Sequence, residues 1–300
     1  MVSGAEERVL PELLVVGPAF FEAFVPADAH PEPGIEKYVA DIPLGLGGAL
    51  NSASVAAALG VSTGFMHPRT AWPVDSAISE CCRRAGIIEF TWGQGGRPFV
   101  TLVWSDAHDR AFISSADWDL FSDCPAFPPV SHVHIGGLTE FNMLRRQAFE
   151  ARTRGATLST CAGWDPPILD RMASETTCPL DLLFMNRAEA VRMCGSLDVA
   201  LERLPGRVAR EVVVTDGAAG AMAASESGIV TVAAPKAEVI DPTGAGDALA
   251  AAYVSAMVAS RGASRAFDRN AALADACRVA SKVVGIRGGV VMDPRQVTSR

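Results

Sequence analysis

The sequence predicts an α/β domain built on a mostly parallel sheet, and three observations carry that prediction. Short apolar runs ending before Gly, Asn or Thr recur along the 300 residues, and helical, often Ala-rich patterns follow them. The runs are nearly continuous in apolar character rather than alternating, as strands buried on both faces must be. Hydrophobic residues make up 49% of the chain and charged residues 20%, enough for one large core or two small ones. No fixed-period repeat and no low-complexity segment interrupts the pattern.

The elements follow in order. Leu13-Leu14-Val15-Val16 reads as the first buried strand and stops at Gly17. Residues 18–46 carry Pro18, Pro26, Pro31, Pro33 and Pro43 among short apolar pieces and leave the strand–helix rhythm. Gly45-Leu46-Gly47-Gly48-Ala49-Leu50-Asn51-Ser52-Ala53 then opens an Ala-rich helix that closes at Gly60. Residues 91–116 leave the rhythm a second time, with β-rich pieces such as Phe99-Val100-Thr101-Leu102-Val103-Trp104. These two stretches are expected to pair into one small sheet, of the kind that serves as a lid or a dimer contact. The rhythm resumes with Val133 to Ile135 before Gly136-Gly137, Leu182 to Met185 before Asn186, and Val212 to Val214 before Thr215. Last comes Val239-Ile240, then Asp241-Pro242-Thr243-Gly244-Ala245-Gly246-Asp247 and a long small-residue helix. Parallel sheets bind ligands beyond the carboxyl ends of their strands, so the residues just after each run are the candidates for chemistry.

Composition excludes several classes of partner. Lys+Arg is 26 against Asp+Glu 34, a net charge of −8, which argues against a general binder of nucleic acid or of anionic membranes. Lys37, Lys236 and Lys282 are the only lysines, so no lysine-rich face can exist. The seven cysteines show no CxxC pair and no regular spacing, as expected of reduced thiols in a cytoplasmic protein. No secretory signal is visible at the N-terminus. The longest apolar run, Ala248 to Ala259, is short of the roughly 20 residues a membrane span needs.

The 241–247 segment is the sharpest chemical feature. Gly244 and Gly246 let backbone N–H groups converge at a helix N-terminus, where the peptide dipoles favour an anion. Asp247 adds a carboxylate that could accept a proton. A proton acceptor beside an anion cradle is what phosphoryl transfer to an alcohol requires. The same residues also read as a Gly-rich turn with an acidic helix cap. In the 45–53 segment, Leu50 stands where a dinucleotide fingerprint needs its third glycine, so that reading fails. Gly48 allows a ligand close to the backbone, and Asn51 offers both a donor and an acceptor. Asn186-Arg187-Ala188-Glu189 has capping-box spacing, and Thr215-Asp216-Gly217 is a plain turn taken alone. His132 and His134 share one face of a strand and, lacking a third ligand, read as core histidines.

Taken together and in this order, the segments resemble the ribokinase family, also called pfkB carbohydrate kinases. Gly47 to Ala53 with Gly60 is similar to the N-terminal signature of that family, and Asp241 to Asp247 to the more specific C-terminal one. Asn186 with Glu189 resembles its Asn-x-x-Glu motif, and Thr215 to Gly217 its nucleotide-site turn. The resemblance covers nearly the whole chain. It implies a single ribokinase-like three-layer α/β sandwich over 1–300, with a small β-sheet lid drawn from about 18–46 and 91–116. It implies Asp247 as general base and Gly244, Ala245 and Gly246 as the anion hole. Asn186 and Glu189 would organise Mg2+ and the phosphates of ATP, and Thr215 and Gly217 would line the nucleotide site. Asp241 and Thr243 occupy positions that hold a monovalent cation, K+, in several members. Glu22, Gly48, Asn51 and Glu140 would contact the acceptor. Cys277 falls where the family often places a residue against adenine, and it reads here as core.

Two departures bear on the acceptor. Glu22 stands five residues after Gly17, where family members usually carry Asp, and its extra methylene adds about 1.5 Å of reach. Residues 65–75 lack the Gly-x-Asp-x-x-Gly that many members place there. Other designs have no anchor: GxxxxGK[ST], HRD, DFG and HExxH are all missing. The expected activity is ATP-dependent phosphorylation of a hydroxymethyl group on a sugar or sugar-like alcohol. A nucleoside acceptor stays open, because Phe20, Phe21 and Trp104 lie in the lid segments. A sugar-binding or regulatory protein without turnover is the reading from another class. A homodimer through the lid is expected if that sheet leaves an apolar face.

Overall fold

The computed structural model describes residues 10–26, 32–105 and 110–298. Nine strands form the large sheet: β1 (Leu13–Val16), β4 (Thr63–Thr70), β5 (Ile88–Gly96), β8 (His132–Ile135), β9 (Thr157–Cys161), β10 (Leu180–Asn186), β11 (Ala209–Thr215), β12 (Ala221–Ser225) and β13 (Gly228–Val232). Their spatial order is β13-β12-β11-β10-β9-β8-β1-β4-β5. All pairings from β11 to β5 are parallel, and β12 and β13 append as an antiparallel edge.

Burial on both faces explains why these strands read as continuous apolar runs. In β1, Leu13 and Val15 enter one core while Leu14 and Val16 enter the other. In β10, Leu182 and Phe184 divide in the same way from Leu183 and Met185. The first core packs against α1 (Ala49–Ala58), α2 (Val74–Ala85), α8 (Ala245–Gly262) and α9 (Arg269–Val283). The second packs against α3 (Leu138–Met143), α4 (Arg145–Thr153), α5 (Pro166–Ala173), α6 (Arg187–Cys194) and α7 (Leu197–Arg203). A short α10 (Arg295–Thr298) ends the described chain against the first core. The result is helix, sheet, helix in three layers, as expected from the sequence.

A separate four-stranded sheet has the order β3-β2-β6-β7, from β2 (Ala19–Pro26), β3 (Leu44–Gly48), β6 (Val100–Ser105) and β7 (Arg110–Ser115). Its pairings are antiparallel except β2 with β6. Residues 91–96, expected in this sheet, lie instead in β5 at the edge of the large one. Trp92 explains the difference: it is buried, and its indole Nε1–H donates to the Leu120 carbonyl at 2.7 Å. Residues 65–70, the first part of the stretch that lacks the Gly-x-Asp-x-x-Gly, belong to β4.

Strand β9 has no counterpart among the apolar runs, because Thr157, Ser159 and Thr160 make it polar. Its partners make that polarity compatible with burial. His132 and His134 of β8 lie in register with Thr157 and Ser159. His132 bonds Thr157 Oγ1 at 2.8 Å and Ser159 Oγ at 2.6 Å, and His134 Nδ1 bonds Ser159 Oγ at 2.8 Å. Burial holds His134 down at about 4 and lowers His132 as well, so both are neutral, satisfied core residues at pH 7.

Candidate active site

Helices α1 and α8 pack together and bring their N-termini to the carboxyl edge of the large sheet. Gly244 takes φ 76° as the cap of α8, so Ala245, Gly246 and Asp247 form its first turn, with the Ala245 N–H reaching the Pro242 carbonyl at 3.4 Å. Asp247 is therefore three positions inside the helix and not its cap. Gly48 takes φ 69° as the cap of α1; a Cβ there would fall 2.6 Å from the Pro18 carbonyl oxygen and 2.8 Å from the Phe20 ring.

The two helix starts meet through side chains. Asn51 is 2% exposed and donates its Nδ2–H to Asp247 Oδ2 at 2.9 Å. Ser52 Oγ donates to the Asp247 carbonyl at 3.4 Å. Asn51 Oδ1 is buried and accepts no hydrogen bond. Gly289 packs against the same amide, where a Cβ would come within 2.6 Å of Asn51 Cγ, and a Cβ on Gly244 would overlap Gly289 Cα. Asn51, Gly244 and Gly289 thus interlock behind Asp247.

Asp241 braces the loop before α8. Its Oδ1 accepts from the Thr243 N–H at 2.9 Å and its Oδ2 from the Gly288 N–H at 2.8 Å. Thr243 Oγ1 is buried without a partner, an oxygen donor left over beside a buried carboxylate.

Three acids converge on this edge. Glu140 is buried in the first turn of α3, its carboxylate folded over Gly137. Burial raises its carboxyl to about 7, its own backbone N–H opposes the rise, and the charges of Asp247 and Asp165 add to it. Glu189 is raised by burial, then held back by the Asn186 N–H and pushed further by Asp247. Asn186 and Glu189 form the capping box of α6: the Asn186 N–H donates to Glu189 Oε2 at 2.8 Å and the Glu189 N–H to Asn186 Oδ1 at 2.9 Å. Cys161, at the end of β9, lies in the field of the same acids, and burial with those charges pushes its thiol well up. The folded value of Glu140 exceeds the ordinary 4.5, so its favourable contribution is complete below pH 4.5 and is lost as pH rises to about 7. Glu140→Gln removes that loss. The variant should therefore gain up to about 3 kcal/mol on wild type between pH 4.5 and 7.5, read by urea denaturation at both pH values.

Glu22 lies on β2 opposite Gly45, and it is buried. Its carboxylate occupies the space above Gly47 that a side chain there would fill. That places it beside the segment leading into α1, on the same strand face as Phe20 and Phe24. Phe20 is half-buried and meets Phe99 edge to face at 5.5 Å.

A cavity of about 870 Å³ opens beside the α8 N-terminus. It brings together Asn186, Thr215, Gly217, Ala245 and Gly246, all singled out in the sequence. Its far wall, Ala234 to Ala237 with Val239, carries no recognisable motif, while an Arg187–Asp216 ion pair (2.7 Å) on its lining joins the two segments that hold Asn186 and Thr215. Lys236 and Ser281 supply further polar lining, and Cys277, expected as core, is 2% exposed yet also reaches the cavity wall. Of the residues missed, only Lys236 had a visible signal, as one of three lysines in the chain.

The family model for pfkB family carbohydrate kinases matches residues 11–292. A nucleoside kinase of Methanothermobacter thermautotrophicus is 29% identical over 258 residues, 82% of each chain. Among solved structures, the nucleoside kinase of Methanocaldococcus jannaschii superposes with a TM-score of 0.75 at 21% identity, over 94% of this chain and 95% of that one. Arabidopsis thaliana ribokinase, complexed with ribose and ATP, gives 0.74 at 20% identity, over 96% and 97%. At those identities the two structures speak to the fold alone.

Proposed function

We propose, from the premise that this chain belongs to the pfkB family of carbohydrate kinases, that it transfers the γ-phosphoryl group of ATP to a hydroxymethyl group of a sugar or sugar-like alcohol. Phosphotransfer to an alcohol is the chemistry of the family. The observation that carries the finer reading is Asp247: a carboxylate in the first turn of α8, oriented by buried Asn51 and flanked by the N–H groups of Gly244, Ala245 and Gly246. Asp247 takes the proton of the acceptor hydroxyl as its oxygen attacks phosphorus, and the helix N-terminus faces the negative charge on the transferring group. The cavity lined by Asn186, Thr215 and Gly217 has the size and polarity for the nucleotide. Its anionic end would then meet the α8 N-terminus.

The donor set suits the ions this chemistry uses. Glu189 and Glu140 are raised first by burial and further by the charge of Asp247, so added positive charge would favour their ionised forms, and hard oxygen ligands suit Mg2+. Asn186 and Glu189 would hold it, and the ion would offset charge on the phosphates. Asp241 with the spare oxygen of Thr243 suits a monovalent cation such as K+.

The four-stranded sheet serves as the lid over the acceptor, with Glu22 on its inner face beside Gly47, Gly48 and Asn51. A carboxylate and an amide there suit a polyol. The opposite face of that sheet is apolar: Leu44 and Ile113 are exposed, and Phe21, Leu102 and Trp104 are half-buried. A second copy of the chain covers that strip, and a single-chain mass by light scattering would refute the dimer. The free state of all seven cysteines fits a cytoplasmic setting, and no helix among the described residues is long and apolar enough to cross a membrane.

A nucleoside is the second reading of the acceptor. Phe20 beside Glu22, backed by Phe99, offers a flat apolar surface next to a hydroxyl-binding carboxylate. The archaeal nucleoside kinase relative points the same way. A screen of sugars and nucleosides for ATP-dependent phosphorylation separates the two, and absence of transfer to any of them would sink both. Glu22→Gln should weaken the best acceptor about tenfold or more in KM while ATP affinity holds, since a site built for hydroxyls is left with an imperfect partner. Unchanged acceptor kinetics would remove Glu22 from the site.

A further inference from the structure

A second cavity, of about 490 Å³, shares the lid wall at Phe24 and Gly45 with the site described above and is otherwise separate from the residues assigned to it. Its walls come from three places: the lid edge at Leu44 to Leu46 with Phe24, helix α2 at Ala77 and Cys81, and the segment from Arg287 to Met292. Its interior is apolar. Three charged side chains, Glu80, Arg84 and Arg287, complete the lining. Glu80 is already engaged, since Arg83 Nε and Nη2 donate to its two oxygens at 2.8 and 2.7 Å. Neither Arg84 nor Arg287 has an ion pair or a side-chain hydrogen bond among the described residues. An apolar cleft open to solvent, of drug-like size, with two guanidinium groups outside any ion pair on its lining matches one ligand chemistry: an apolar body carrying a single carboxylate or phosphate.

The walls of this cavity also support the catalytic edge. The N–H of Gly288, a lining residue, is held by Asp241 Oδ2, and its neighbour Gly289 packs on Asn51 and Gly244. The Val291 N–H donates to Ser54 Oγ of α1 at 2.9 Å. The lid wall runs from Leu46 directly into Gly47 and Gly48, where α1 begins. A ligand seated here would touch the lid edge on one side and the loop behind the anion hole on the other.

We propose that this cavity is an effector site for a small amphipathic anion, and that the 287–291 segment and the lid edge transmit its occupancy to the nucleotide site. Binding there does not depend on phosphoryl transfer, so it can be tested whether or not the acceptor is known. Phenyl phosphate and phenylacetate serve as probes, titrated calorimetrically into the full chain saturated with a non-hydrolysable ATP analogue, which keeps them out of the larger cavity. One saturable site is expected for at least one probe. Arg84→Ala and Arg287→Ala, both at exposed positions where the fold should persist, should each weaken it about tenfold or more. Inorganic phosphate should bind more weakly than phenyl phosphate. No saturable binding to wild type, unchanged affinity in both variants, or equal affinity for inorganic phosphate would overturn the site. For the transmission, affinity for the ATP analogue should change on adding the probe by the same factor that the analogue changes probe affinity. An analogue affinity that stays constant would overturn that half of the proposal.

Discussion

Asp247→Asn is expected to lower turnover by about 10²–10⁴-fold while ATP affinity stays close to wild type. The substitution isolates charge from shape. Asn51 donates to Asp247 Oδ2, and an asparagine at 247 can present its own amide oxygen to the same donor, so the contact between α1 and α8 survives. What disappears is the carboxylate charge that the proposed mechanism uses to take the proton of the acceptor hydroxyl. The N–H groups of Gly244, Ala245 and Gly246 remain in place, which is why nucleotide binding should persist. The measurement is steady-state kinetics on the best acceptor, with ATP-analogue binding by calorimetry as the control. Turnover near wild type would remove Asp247 as the base.

Gly244→Ala is expected to damage both catalysis and stability. Gly244 holds φ 76°, where an L side chain costs about 1–2 kcal/mol, and its new methyl would overlap the backbone of Gly289 and crowd Asn51 Nδ2 at 3.2 Å. The loop must shift, and the α8 N-terminus and the Asn51–Asp247 bond shift with it. Misplacing reacting groups by about an ångström, or losing one aligned donor, costs about 10²-fold or more in turnover. Gly246→Ala is the contrasting case. Nothing lies within 4 Å of a Cβ there, so that variant should keep wild-type thermal stability. Thermal denaturation of both variants with kinetics on Gly244→Ala tests the argument, and equal stability with full turnover in Gly244→Ala would defeat it.

The elements most readable in advance were those whose residue types answer a local demand. Leu13 to Val16, Leu182 to Met185 and Val212 to Val214 are apolar throughout because helices cover both faces of the strands they form. Gly48 and Gly244 announce helix starts because the backbone there takes positive φ and tolerates no Cβ. Strand β9 was hidden by the polarity of Thr157 and Ser159, which is acceptable only because His132 and His134 arrive in register from 25 residues earlier. Trp92 concealed the end of the large sheet in a stretch that reads as lid, since its burial depends on the Leu120 carbonyl.

The sequence by itself determined the α/β class, the two glycine-marked helix starts and the residue types present there. Period, turn chemistry and missing side chains are properties of neighbouring residues, so they can be read without knowing the fold. Only the tertiary structure decided how these pieces act on one another. It joined Asn51 to Asp247 across 196 positions of chain and packed Gly289 behind both. It buried Glu140 and set it in the field of Asp247, raising its carboxyl to about 7. It closed the large cavity with Ala234 to Ala237, a stretch that carries no motif. Burial, proton affinity and cavity shape arise from atoms that are close in space and far apart in the chain, and such distances are written in no local pattern.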